Sequence, residues 1–371
     1  MNIIKPEVTH GIVNRVTGSV FSYQGWPTIT KDEKGTIYAV VSGFRVSHIC
    51  PFGKTVMYIS HDEGNTWTPP IVINDTYMDD RDAGIVYMGE GKLLVSWFTH
   101  SAERYTGHYS EKIKNYADPA ARAAVLGLME GYKYLPEEEK RAGSYVRMSN
   151  DYGVTWGETV FVPVSAPHGP ALCKDGSLIY VGTEIYTEDR VKASERPNIP
   201  VAVYKSTDGG YTWNRLASIT KPEWMNENEW LDEPHAIELP DGRILAAFRI
   251  EGRDPFSIGT AISTDGGLSW SDVRCTDVSG SPPHFMLHSS GALICSHGRR
   301  EKPYGERAMV SYDFGETWTD AYILDERSNS DDIGYATTVE LSDGSLFTAY
   351  YQRYENDEKC SVLYTRWRLN K

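Results

Sequence analysis

The residues whose types could do chemistry recur at regular places, just before or just after stretches of apolar alternation. Before such stretches stand Gly25-Trp26, Arg81-Asp82, His168, Glu233 with His235, Pro283-His284 and Tyr335. After the stretches that follow them stand Arg45, His100, Glu184, Arg249, Arg299-Arg300 and Gln352. Carboxylates, imidazoles and a phenol can move protons or attack carbon. Guanidinium forks hold a carboxylate through two charge-assisted hydrogen bonds and stay charged when partly buried. This mixture suits acid/base and nucleophilic work on an anionic substrate. It does not suit a metal, because there is no HExxH or similar spacing; His168, His235 and His284 are expected to line a pocket or to sit satisfied in the core. No metal or other cofactor is expected.

What must position these residues is written in a repeat. The pattern Ser-x-Asp-x-Gly-x-Ser/Thr-Trp occurs five times, at 60–67, 149–156, 206–213, 263–270 and 311–318. In such a turn the Asp side chain bonds nearby backbone N–H groups, Gly permits positive φ, and Trp packs underneath. These Asp residues are therefore structural, and their spacing lacks the further carboxylates of a calcium loop. A second element, a two-residue turn ending in Gly, recurs at Gly35, Gly91, Gly176, Gly242, Gly291 and Gly344. Six such hairpins predict an all-β protein, a six-bladed β-propeller occupying residues 1–371 as a single catalytic domain. The sixth blade lacks a box, so the segment Gly11 to Val16 is expected to supply its fourth strand and close the ring. If Gly turns and boxes share one face, the residues named above converge on the other. Residues 102–143 break the β pattern, and Asp118 to Met129 reads as an amphipathic helix started by Asp118-Pro119. That insertion in the second blade is expected to rise over the functional face as a lid or pocket wall.

Composition agrees with this architecture and narrows the partners. Aromatic residues make up 12% of the chain and Gly is abundant, favouring short strands and tight turns. A formal charge of −14 argues against nucleic acid or an anionic membrane as partner, since phosphate binding needs a basic face. The start of the chain has no apolar run of signal-core length, and no stretch reaches membrane-spanning length. Five widely spaced cysteines without CxxC suggest neither a disulfide framework nor a zinc site. A cytoplasmic setting is expected from the sequence as it stands, and a secreted or periplasmic one if a leader has been removed.

Five Asp boxes on a six-bladed pattern resemble the sialidase (neuraminidase) superfamily over nearly the whole chain. More specific is EPHAIELPDGRILAAFR, from Glu233 to Arg249, which is similar to the family stretch carrying a glutamate and then a carboxylate-binding arginine. Gly334-Tyr335 followed by ATTVELSDG resembles the segment with the nucleophilic tyrosine, and Arg300 and Arg307 fall where another substrate-binding arginine is expected. The resemblance implies a retaining exo-α-sialidase acting on sialylated glycans or free sialosides. A sialic acid bears a carboxylate on its anomeric carbon, which repels an anionic nucleophile but not a neutral phenol. Tyr335 would then attack while Glu233 removes its proton, a known exception to the usual pair of carboxylates.

Three departures bear on the pocket. The Arg-Ile-Pro arginine of the family is absent, its stretch reading Gly25-Trp26-Pro27, and the carboxylate that braces it resembles Gln352. The first-blade loop, RVSHICPFGK from Arg45 to Lys54, contains no carboxylate to serve as acid/base. Asp82 is the candidate for that role, with His48 the alternative, and Arg81 could join the clamp. Trp26, Arg45, His48, His235, His284 and Gln352 complete the expected substrate contacts. A glycosidase or lyase for another acidic sugar, or a non-catalytic glycan-binding propeller, are the competing readings.

Overall fold

A computed structural model describes residues 1–184 and 199–370, and these form six antiparallel sheets arranged as the blades of a propeller. The inner strands are Tyr23–Lys31, Asp80–Tyr87, Ala171–Leu172, Trp230–Glu238, Ser281–Leu287 and Gly334–Glu340. Each packs beside the next around the ring, the sixth against the first. Every Gly turn expected from the sequence joins an inner strand to its second strand, and the six glycines all have φ between +72° and +89°, where a Cβ would be strained.

The five boxes join third to fourth strands. In the first, Asp62 Oδ1 accepts from Ser60 Oγ at 2.8 Å and from Thr66 N at 2.8 Å, while Ser60 Oγ accepts from Gly64 N at 2.7 Å. The others repeat this scheme around Asp151, Asp208, Asp265 and Asp313. The box tryptophans, from Trp67 to Trp318, each pack against an apolar core. The turn signature is thus tied to the hydrophobic seam that holds the sheets apart and in register.

The ring closes as expected in kind but not in position. Thr9–Asn14, two residues earlier than Gly11–Val16, pairs with Cys360–Trp367 as the outer strand of the sixth blade. Asn2–Ile4 then runs parallel to Asp320–Asp325, a fifth strand on the fifth blade that the sequence pattern did not signal. The expected helix spans Pro119–Met129, with Asp118 as its N-cap accepting from Ala120 N at 2.8 Å. It belongs to an insertion between the second-blade strands Leu93–Thr99 and Gly143–Ser149, with further short helices at Ala102–Thr106 and Ser110–Lys114. Tyr105, Ile113, Val125 and Tyr132 of the insertion share an apolar core with Val46, Cys50 and Phe52 of the first-blade loop.

Two glycine pairs allow the blades to meet on the site side. A Cβ built on Gly84 would lie 2.4 Å from Gly169 N, and one on Gly298 would lie 2.5 Å from Gly334 Cα. Both clashes are with backbone, which cannot swing away. Gly298→Ala should therefore cost about 1–3 kcal/mol, an overpacking cost, and lower the melting temperature by several degrees in a thermal melt. Because Gly334 precedes Tyr335, the change should also displace that tyrosine.

Candidate functional site

The site is built by a recurring defect at the start of the inner strands. Pairing with the second strand slips between Gly25 and Thr28, Arg81 and Gly84, Asp232 and His235, and Gly334 and Thr337. At each slip sits a non-glycine residue in the left-handed region: Trp26 at φ +55°, Asp82 at +50°, Glu233 at +44° and Tyr335 at +53°. Such bulges re-aim a side chain, and left-handed residues of this kind persist only where surrounding structure holds them, commonly at functional sites. Here they direct Asp82, Glu233 and Tyr335 to one cavity.

Tyr335 Oη donates to Glu233 Oε1 at 2.6 Å, and Arg249 Nη1 donates to Glu233 Oε2 at 2.7 Å. Burial, together with the negative charges of Glu233 and Asp82, pushes the Tyr335 phenol well above its usual range. The phenol is therefore neutral at rest, with an acceptor already in place for its proton. Arg249 also binds Glu251, through both Nε and Nη2 to the single oxygen Oε2. Phe256 lies under the same guanidinium at 4.4 Å.

Asp82 is almost wholly buried, and burial raises its carboxyl to about 7, against the opposing pull of Arg81 and with help from Glu233. Arg81 Nε stands 3.7 Å from Asp82 and Arg81 Nη1 stands 3.9 Å from Asp79, both beyond hydrogen-bond length. The indole of Trp26 lies against the guanidinium carbons of both Arg81, at 4.3 Å, and Arg45, at 4.6 Å.

On the first-blade loop, His48 Nδ1 lies 2.8 Å from Asp332 Oδ1. Asp332 also accepts from Tyr23 Oη at 3.0 Å and Tyr351 Oη at 3.2 Å. Its burial would raise the carboxyl, but the bonds from His48 and Tyr23 prevail and bring it to about 2. Tyr351 Oη accepts in turn from Arg300 Nη2 at 3.1 Å, and Arg300 Nε donates to Ile333 O at 3.0 Å.

The cavity these groups share has a volume of about 380 Å³. Tyr335, Glu233, Asp82, Arg81, Arg249, Arg300, His48, His100 and Glu184 all line it. The remaining expected contacts do not. Arg45 has zero exposure because Asp79 takes both its Nη groups and the carbonyls of His48 and Cys50 accept from it. Arg307 is turned toward Glu326 Oε1 at 2.6 Å and Asp325 O at 3.1 Å, and Gln352 is buried with Nε2 on Asp325 at 3.0 Å. Trp26 is 1% exposed beneath its two arginines. His235 and His284 stack at 4.4 Å with His168 edge-on, and burial lowers all three into the neutral form. None of these residues is among those that line the cavity. Among the described residues, no cluster of His, Cys, Asp or Glu could hold a metal ion.

Several lining residues were not anticipated. Glu251 lies two positions beyond Arg249 on one strand, so period-two alternation places both on the same side, a signal available in the sequence. Asp232, which also lines the cavity, is the neighbour of Glu233 on its strand and could have been found from that position. Arg104 and Tyr109, bonded to each other at 3.0 Å, come from the helical insertion and needed the fold.

Asp82 makes stability depend on pH in a definite direction. Its folded value of about 7 exceeds the ordinary 3.8, so the folded state binds the proton more tightly than the unfolded chain. No cost is felt below about pH 4, where both states are protonated, and the cost grows as pH rises to about 7 and then stays. Asp82→Asn removes the ionisation, and Asn tolerates positive φ. Its melting temperature should exceed the wild type's by more at pH 8 than at pH 5, a gain on the order of a few kcal/mol; thermal melts at the two pH values check this.

The fold has counterparts among known proteins. A match to the BNR repeat-like domain family covers residues 101–348. Among curated proteins no sequence matches the chain. Of the solved structures, a protein of unknown function from Dyadobacter fermentans is 20% identical, with a TM-score of 0.76 over 98% of this chain and 99% of that one. The NanB sialidase of Streptococcus pneumoniae is 15% identical, with a TM-score of 0.65 over 97% of this chain and 70% of that one. An α-L-arabinanase of Penicillium chrysogenum is 12% identical, with a TM-score of 0.62 over 98% and 99%. At these identities the likeness is one of fold. With two thirds of its length matched by the family and five Asp boxes formed as hairpin turns, the chain belongs to the BNR repeat-like family of Asp-box propellers.

Proposed function

We propose that this protein is a glycosidase of the sialidase-like propeller type, and specifically a retaining exo-α-sialidase that removes terminal sialic acid from glycans. The observation that carries the reading is the 2.6 Å bond from Tyr335 to Glu233 inside a cavity lined by Arg81, Arg249 and Arg300. A neutral phenol paired with a carboxylate is the nucleophile suited to an anomeric carbon that already bears a negative group.

The chemistry runs in two balanced steps. Tyr335 Oη bonds to the anomeric carbon as its proton passes to Glu233; the glycosidic bond breaks, and Asp82 gives its proton to the departing oxygen. Water then attacks the same carbon and yields a proton to the Asp82 carboxylate, while the phenolate leaves and recovers its proton from Glu233. A carboxyl near 7 is matched to both duties at neutral pH. Glu233 is kept aimed by Arg249, and other arginines of the cavity hold the sugar's carboxylate.

One observation favours a second reading. The arginine of the family's Arg-Ile-Pro motif is missing, its stretch reading Gly25-Trp26-Pro27, which suits another acidic sugar, such as a uronic or ulosonic acid, in the same pocket.

Release of 4-methylumbelliferone from the N-acetyl and N-glycolyl sialosides tests the proposal directly, and failure with both sinks the sialidase assignment. A panel of uronic-acid and ulosonic-acid aryl glycosides then examines the second reading. Tyr335→Phe should lower kcat on the active substrate by on the order of 100-fold or more while leaving binding of a product-like inhibitor nearly intact. Asp82→Asn should harm natural glycosides far more than the aryl substrate, whose leaving group needs no proton. In wild type, turnover of natural glycosides should fall as pH rises past about 7, because Asp82 then loses the proton it donates. Equal losses on both substrates would remove Asp82 from this role.

A further inference from the structure

Among the described residues four arginines line the cavity, Arg104 of the insertion among them, and of these Arg81, Arg249 and Arg300 are not electrically equivalent. Arg249 has both ends of its guanidinium engaged by carboxylates: Nη1 by Glu233 at 2.7 Å, Nε and Nη2 by Glu251. Two-pronged recognition of a further carboxylate needs a whole edge of the guanidinium, and each edge of Arg249 already contains a nitrogen bound to an acid. Arg300 is different, since its partners are a carbonyl and a phenol. Among the described residues no carboxylate stands within ion-pair distance of it. Arg81 has acids at 3.7 and 3.9 Å but no hydrogen bond to either, and its Nε is buried without a partner.

We propose that Glu251 is a specificity-determining counter-ion: it withdraws Arg249 from the substrate, so that the substrate's anionic group is held by Arg81 and Arg300 instead. The inference rests on the glycosidase reading only for the identity of the substrate. An incoming carboxylate that approaches Arg249 meets the like charge of Glu251 in a partly desolvated wall, where repulsion is weakly screened. Arg300 has no carboxylate within ion-pair distance among the described residues, and Arg81 makes no hydrogen bond to the two acids near it, Asp82 and Asp79. The two arginines flank an aromatic floor, Arg81 over Trp26 at 4.3 Å and Arg300 over Tyr335 at 5.7 Å, with the two rings 6.3 Å apart. Trp26, in the stretch that lacks the family's arginine, is the ring against which Arg81 lies. Both donors of Arg249 converge on Oε2 of Glu251, which leaves Oε1 as an acceptor for a hydroxyl. The substrate class that fits is a sugar acid whose carboxylate faces the Arg81 and Arg300 side and whose hydroxyl-bearing arm faces Glu251.

Calorimetric titration with the 2,3-dehydro sugar acid related to sialic acid, and with its methyl ester, tests this. Glu251→Gln is nearly isosteric and removes only the charge. It should tighten binding of the acid by roughly fivefold, the value of one modest ion pair, and leave the ester unchanged. Arg300→Gln and Arg81→Gln should each weaken the acid on the order of 30-fold or more, the cost of losing one partner of a desolvated charge pair. Unchanged or weaker binding of the acid by Glu251→Gln, or full affinity in both arginine variants, overturns the inference. Aryl-glycoside turnover by wild type separates the two readings. Turnover without tightening in Glu251→Gln sinks this inference alone, the expected binding pattern without turnover sinks the catalytic reading alone, and no affinity of any variant for the acid sinks both.

Discussion

Four of the six blades begin their inner strands with a non-glycine residue in the left-handed region, and the pocket depends on that conformation. In a regular strand, alternation would send Asp82, Glu233 and Tyr335 along the blade faces, into the packing between sheets. The bulge turns each toward the axis at the mouth of the ring. Each such residue costs of order 1–3 kcal/mol, a cost borne by the tightly packed seams beneath. The Asp boxes anchor those seams on the opposite face, so a rigid frame on one side permits backbone strain on the other.

The second support is a buried carboxylate. Asp79 has no exposure, and it holds Arg45, accepts from Gly53 N at 3.1 Å and accepts from Tyr105 Oη at 2.7 Å. It therefore ties the second-blade inner strand to the first-blade loop and to the helical insertion at one point. A buried charge is tolerable only when fully bonded, and Asp79 meets that condition. The consequence for the site is indirect but definite. Arg45 braces the carbonyls of His48 and Cys50, so the loop that presents His48 to the cavity is held from below.

Charge is then distributed unevenly around the mouth. Glu233 and Glu251 occupy Arg249, Asp332 is consumed by His48 and two tyrosines, and Arg81 and Arg300 retain unspent donors or charge. A net charge of −14 says nothing of this arrangement. The local field at a mouth lined by two incompletely paired arginines decides what approaches, because nearby charges in a poorly hydrated cleft outweigh distant screened ones.

Local chemistry made most of the frame legible in the sequence. The box and Gly turns need only neighbours within eight residues, so blade number and site face followed from spacing. So did the nearness of Tyr335, Glu233 and Arg249, since Tyr335 and Glu233 lie at the starts of their inner strands and Arg249 lies near the end of the second strand paired with that of Glu233. Long-range packing made the other decisions. Arg45 ends its second strand much as Arg249 does, and Arg307 stands on a third strand, yet Asp79 and Glu326 turn both away from the cavity. Trp26 lies at a bulge like Tyr335 but is covered by two guanidinium groups. Arg104 and Tyr109 reach the cavity only because an apolar core seats the insertion on the first-blade loop. Turn type and strand alternation are set by adjacent residues; whether a charged side chain faces solvent or a buried partner depends on which blade brings that partner near, and only the closed ring settles it.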